Sequence, residues 1–115
     1  MTTTSVYKHL TLFSIAKKLV QAAYELVQDI PEEEQELSGK KLKLAALNAY
    51  LTIAQGLSRK SRKKLFRKAE MDLLIVDSIL ELYRDANLLP PDRINDFSYT
   101  LIRCMELLRN PIPES

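Results

Sequence analysis

Tryptophan is absent from this chain of 115 residues, cysteine and histidine occur once each, and there are only two glycines. Cys104, standing alone, can form no internal disulfide and no cysteine-based zinc site, which fits a reducing compartment. His9, with no second histidine and no cysteine cluster, offers a transition metal no recognisable ligand set. The glycines build no phosphate-binding loop, and no deaminase-type zinc motif is present. No uninterrupted apolar segment resembles a signal-peptide core or a membrane span. The start, Met1 to Ser5, is short and polar and is followed by Lys8. A cytoplasmic protein without a cofactor is expected.

What is present suits a helical domain. Hydrophobic residues make up 46% and charged residues 28% of the chain, a balance found in folded soluble proteins, not in disordered tails. The length suffices for one core, so residues 1–115 are read as a single domain with an ordered core at about 6–109.

Four stretches repeat apolar residues at steps of three and four, separated by helix-stopping punctuation. The first runs from about Val6 to Asp29, with Leu12, Ile15, Leu19, Ala22, Leu26 and Ile30 on one face, and Pro31 ends it. The second begins near Ser38, carries Leu42, Ala45, Ala46, Ala49, Tyr50 and Ile53, and meets Gly56, where a left-handed residue would close it. The third starts at Ser61 and persists to about Ala86. Its main seam is Phe66, Ala69, Leu73, Val76, Leu80 and Tyr83, and a second seam of Ile75, Ile79, Leu82 and Ala86 needs a wide core or a subunit interface. After the turn from Asn87 to Pro91, the fourth buries Ile94, Phe97, Leu101, Cys104 and Leu108, and Pro111 and Pro113 mark a frayed tail. Short connections favour antiparallel neighbours, so the expected fold is an all-α, up-down-up-down four-helix bundle.

Net charge is only +2, so location must carry any inference about partners. Arg59, Lys60, Arg62, Lys63, Lys64, Arg67 and Lys68 cluster with no carboxylate among them. Residues 62–64 fall in the opening turn of the third helix, where the helix dipole makes each cation cost about a few tenths of a kcal/mol. Stability does not ask for cations there, whereas a phosphate backbone does. Asp29, Glu32, Glu33, Glu34 and Glu36 form an acidic connection at the opposite end. Lys8, His9, Arg103 and Arg109 join the basic end, and Asp85 and Asp92 the acidic one. Little aromatic residue is interleaved with the cations, so backbone contact with weak sequence preference is expected. A helix-turn-helix over residues 40–75 is disfavoured by the length of the third helix and the scarcity of base-reading side chains.

The remaining candidates read as structure. Lys40, Lys41 and Lys43 balance the preceding glutamates. That acidic stretch is a solvated loop and lacks the ligand pattern of a calcium site. Cys104 sits within an apolar stripe as an inert core residue, and Glu70, Asp72, Asp77 and Glu81 are solvated surface. Nothing assembles a catalytic triad, and no enzyme is expected.

Ile30-Pro31, Leu37-Ser38-Gly39-Lys40-Lys41-Leu42, Ile53-Ala54-Gln55-Gly56-Leu57 and the long third helix follow an order that resembles a known four-helix-bundle family. That family includes proteins encoded in intervening sequences of bacterial large-subunit ribosomal RNA genes and the accessory variability determinant of diversity-generating retroelements. The ribosomal branch usually carries a proline and an asparagine before an Ile-Ala-Glu-Gly turn, unlike Tyr50-Leu51-Thr52-Ile53-Ala54-Gln55-Gly56 here. Leu37 to Leu42 and the run from Asp72 to Leu89 are more similar to the retroelement branch. The resemblance implies a homopentameric barrel whose positive surface binds RNA or DNA and which associates with a reverse transcriptase. The alternatives are a protein of the ribosomal intervening-sequence type and an interaction scaffold that docks an acidic protein partner.

Overall fold

Apolar spacing and capping chemistry place the helices. The computed structural model describes the backbone of residues 3–58 and 62–110, with side chains from His9 onward. Helix α1 spans Thr3–Gln28, a short α2 spans Glu32–Glu34, α3 spans Lys40–Leu57, α4 spans Arg62–Asp85 and α5 spans Pro91–Arg109. Four long helices and no strand among the described residues make the fold all-helical, in keeping with a four-helix bundle. Both α3 and α5 pack against α1 and against α4, so the core lies between four helices. No helix among the described residues is long and apolar enough to cross a membrane.

The main seam of α4 is buried throughout, from Phe66 to Tyr83, as is the stripe of α5 from Ile94 to Leu108. Each fully buried leucine or isoleucine in these stripes contributes about 1.5–3 kcal/mol of transfer free energy. The buried face of α1 is wider than its spacing indicates. Ala16, Val20, Ala23 and Val27 are buried beside the expected residues, while Ala22 is only half-buried, because α1 covers two neighbours. The second seam of α4 divides: Ile79 is 7% exposed and joins the core, whereas Ile75 at 48%, Leu82 at 62% and Ala86 face outward.

The acidic connection is helical where a loop was expected. Pro31 occupies the N-cap of α2, and its carbonyl accepts the amides of Glu34 and Gln35 at 2.9 and 3.0 Å. Glutamates in that first turn suit the helix dipole. Gln35–Gly39 then form one wide π-helical turn that runs straight into α3, so Ser38 lies inside helical structure and not at its start. The Gln35 side-chain amide donates to the carbonyl of Ile30 at 2.9 Å and to that of Gln28 at 3.3 Å, satisfying acceptors left open where α1 ends. Arg93, in the first turn of α5, forms an ion pair with Asp29.

Gly56 does not close α3 in a left-handed conformation, since no glycine has positive φ. It is a buried residue within α3, and a Cβ there would come within 2.9 Å of Phe66 Cε1. Close packing of α4, not backbone freedom, is what requires glycine. Ser58 ends the helix instead, its amide and hydroxyl both donating to the Gln55 carbonyl. The left-handed residue is Asn87, with φ 54°. There the Leu88 amide reaches the Tyr83 carbonyl and the Asn87 amide the Arg84 carbonyl, the paired bonds of a Schellman motif closing α4. Pro90 and Pro91 open α5, with Asp92 in its first turn as expected. Ser61, the expected start of α4, and the tail from Pro111 lie outside the described residues.

Gly56→Ala tests the packing assignment. Alanine at an unobstructed helical position stabilises by about 1 kcal/mol. Against a buried ring the added methyl overpacks, at about 1–3 kcal/mol. A net loss of about 1 kcal/mol in urea unfolding followed by helical circular dichroism is expected, and a gain would contradict the wedge of Phe66 on Gly56.

Candidate nucleic-acid interface

The sequence cluster of cations separates into parts with different jobs. Arg59 and Lys60 lie outside the described residues. Arg62 turns inward: its Nε donates to the Gly56 carbonyl at 3.3 Å, and its Nη1 lies 3.1 Å from His9 Nε2. Arg62 therefore satisfies an acceptor near the end of α3 and ties α1, α3 and α4 together. Because a guanidinium only donates, His9 Nε2 accepts, and the imidazole is neutral in this contact.

Lys63, Lys64, Arg67 and Lys68 are exposed. Their spacing sorts them into two ridges, Lys63 with Arg67 and Lys64 with Lys68, each pair one turn apart. Among the described residues, Lys63, Lys64 and Arg67 have no carboxylate partner within ion-pair distance. Lys68 stands near Asp72, whose carboxyl is raised by burial and partly drawn back down by that lysine.

Lys63 and Arg67 flank a groove of about 500 Å³ between α4 and α5, lined also by Phe66, Glu70, Met71, Leu108 and Arg109. Arg109 Nε pairs with Glu70 Oε1 at 3.2 Å across it. Glu70 therefore belongs to a cationic groove, although its sequence setting reads as plain solvated surface. The Glu70–Arg109 contact spans two helices and leaves no local pattern, so no signal within either helix pairs the two residues. Arg103 is exposed but does not line the groove.

The other candidates have ordinary structural roles. Burial pushes the Cys104 thiol up to about 12, which keeps it protonated and unreactive. No group of three potential metal ligands occurs among the described residues. Tyr83 is fully buried, and its hydroxyl lies 2.8 Å from Ser38 Oγ, which donates to Glu34 at 2.5 Å. Burial raises the Tyr83 hydroxyl; the Ser38 hydrogen bond opposes this, and the charge of Glu34 adds to it. Tyr83 thus donates into a hydrogen-bond chain that fixes the π-helical turn. Tyr50 is half-buried, with its ring centroid 5.3 Å from that of Phe13. Neither tyrosine provides a free stacking platform.

No family model matches this chain, and no curated protein is significantly similar to it.

His9 supplies a pH test. Its pKa is lowered by burial first and by the Arg62 charge second. The unfolded chain therefore takes up this proton before the folded one does. The associated stability is complete above the ordinary value of about 6.5 and is lost as pH falls from there toward the lowered folded value. Denaturant midpoints of the wild type are expected to fall more between neutral and mildly acidic pH than those of His9→Gln. Parallel pH curves would remove His9 from the coupling.

Proposed function

We propose that this chain is a non-enzymatic accessory protein that holds RNA or DNA by the basic end of its bundle. In the reading drawn from family resemblance, it does so for the reverse transcriptase of a diversity-generating retroelement during mutagenic complementary-DNA synthesis. One observation carries the nucleic-acid part: Lys63, Lys64 and Arg67 sit exposed beside a positive helix end and, among the described residues, without carboxylate partners. An anionic polymer relieves that arrangement, because phosphates meet the cations and release their own counterions.

An up-down-up-down order of the four long helices is part of the proposal. It is supported by Glu70 meeting Arg109 while Arg84 meets Asn95, which sets each end of α4 beside the other end of α5. Contact of His9 with Arg62, and of Arg62 with Gly56, likewise joins the start of α1 to the start of α4 and the end of α3. With that order the glutamates of α2 gather at one end and the cations of α4 at the other, along a molecule 47 Å in its longest dimension.

Self-association into a ring, a homopentamer by the resemblance, completes the reading. Ile75 and Leu82 support it, being apolar and outward-facing on the middle and end of α4. A ring would repeat the basic end, so modest contacts per protomer would combine by avidity.

The electrostatic proposal predicts steep weakening of oligonucleotide binding with salt. Replacing Lys63, Lys64 and Arg67 by glutamate should lower the slope of log affinity against log salt by at least about 2, at roughly 0.7–0.9 per lost phosphate contact. Arg62 is left intact because it serves the fold. An unchanged slope would remove these cations from the mechanism. Protection of the same cations by an acidic protein, with oligonucleotides ignored at low salt, would favour the docking scaffold instead.

The assembly is tested separately. Leu82→Glu should reduce the mass measured by sedimentation while helical content is kept, since the residue is 62% exposed within one protomer. Retention of the wild-type assembly by Leu82→Glu and Ile75→Glu together would place the interface elsewhere.

A further inference from the structure

The groove between α4 and α5 combines two chemistries that a plain phosphate-binding surface does not need. Its rim is cationic, with Lys63 and Arg67 on one side and Arg109 on the other. Between them lie the edges of Phe66 and Leu108, each 4% exposed, and the freely accessible Met71, 68% exposed. Arg109 is held across the groove through Nε, so its terminal guanidinium nitrogens, which make no ion pair with another described residue, can meet another acceptor. A double helix presents phosphates outward and keeps its base faces stacked inside, which would leave the apolar floor in water. A single strand can offer both groups at once.

We infer that this groove takes one unstacked nucleotide of a single strand, with its base against Phe66, Met71 and Leu108 and neighbouring phosphates on Lys63, Arg67 and Arg109. The inference rests on the nucleic-acid reading above and narrows it from a polyanion to a single strand. Glu70 favours a nucleotide over an acidic peptide. One carboxylate oxygen holds Arg109, and the other can accept from a base amine, whereas the acidic side chains of such a peptide would be repelled by it. The groove encloses about 500 Å³, with Met71 its most accessible apolar side chain.

Fluorescence anisotropy at low salt provides the test, using labelled oligocytidylate, as ribose and deoxyribose strands, against an abasic strand of equal length and charge. At least one cytidylate strand should bind about fivefold or more tightly than the abasic strand, the size expected when a base gains one apolar contact. Met71→Ser should remove most of that difference. The wild-type comparison stands even where the variant fails to fold. Equal binding of based and abasic strands, with steep salt dependence retained, overturns the groove inference while the nucleic-acid reading survives. Absence of binding by every strand overturns both. Tighter binding of an acidic phenylalanine-containing peptide than of any strand assigns the groove to protein and overturns the inference as well.

Discussion

Everything at the basic end depends on how closely α3 lets α4 approach. Gly56 presents no Cβ, so the ring of Phe66 lies where a methyl group would otherwise be, 2.9 Å from the position such a carbon would take. Ala45, Ala46 and Ala49 are also buried on α3, while a Cβ at Gly39 would come within 2.7 Å of Val27 Cγ1 of α1. Small residues therefore let one helix serve two neighbours. Once Phe66 is fixed, helical geometry fixes its neighbours: Arg62, one turn earlier, reaches back to the Gly56 carbonyl, while Lys63 and Arg67 emerge toward α5.

That geometry distinguishes cations that belong to the fold from cations that do not. Arg62 stands in an unfavourable first turn, but its hydrogen bonds to Gly56 and His9 offset the cost. Lys63, Lys64 and Arg67 gain no comparable contact among the described residues. Their surroundings do not account for their sign. The acidic end behaves differently: glutamates open α2 where the dipole welcomes them, and Glu34 also terminates the Tyr83–Ser38 hydrogen-bond chain. The glutamates of α2 are matched to local structure, whereas Lys63, Lys64 and Arg67 are left, among the described residues, for solvent or a ligand.

The buried seams were legible because their period equals that of the helix. Phe66 through Tyr83 and Ile94 through Leu108 needed no tertiary information, and Pro31, Pro90 and Pro91 marked boundaries through geometry of their own. The acidic connection was misread because a run of glutamates resembles solvated loop until its capping is considered. Proline followed by acids in a first turn is a helix opening. Gly56 was misread for a different reason. A glycine near a helix end can supply positive φ or close approach, and only the position of Phe66 decides between them. Asn87, which does adopt positive φ, carried the weaker local signal.

The candidate site was legible in its charge and hidden in its shape. A run of cations is visible in one dimension, yet it could not reveal that Arg62 faces inward while Lys63 and Arg67 line a groove. Glu70 and Arg109 are far apart in sequence and acquire meaning only when α5 lies beside α4. Their pairing alters the chemistry of the proposed interface. A uniformly positive surface attracts any polyanion and holds it in many orientations. A groove with an apolar floor, cations on both sides and one carboxylate that holds Arg109 would restrict both orientation and ligand type, because each group would be satisfied by a different part of a nucleotide. Selectivity at this end of the molecule would then come from packing between α4 and α5, with the long-range field serving mainly to bring the strand there.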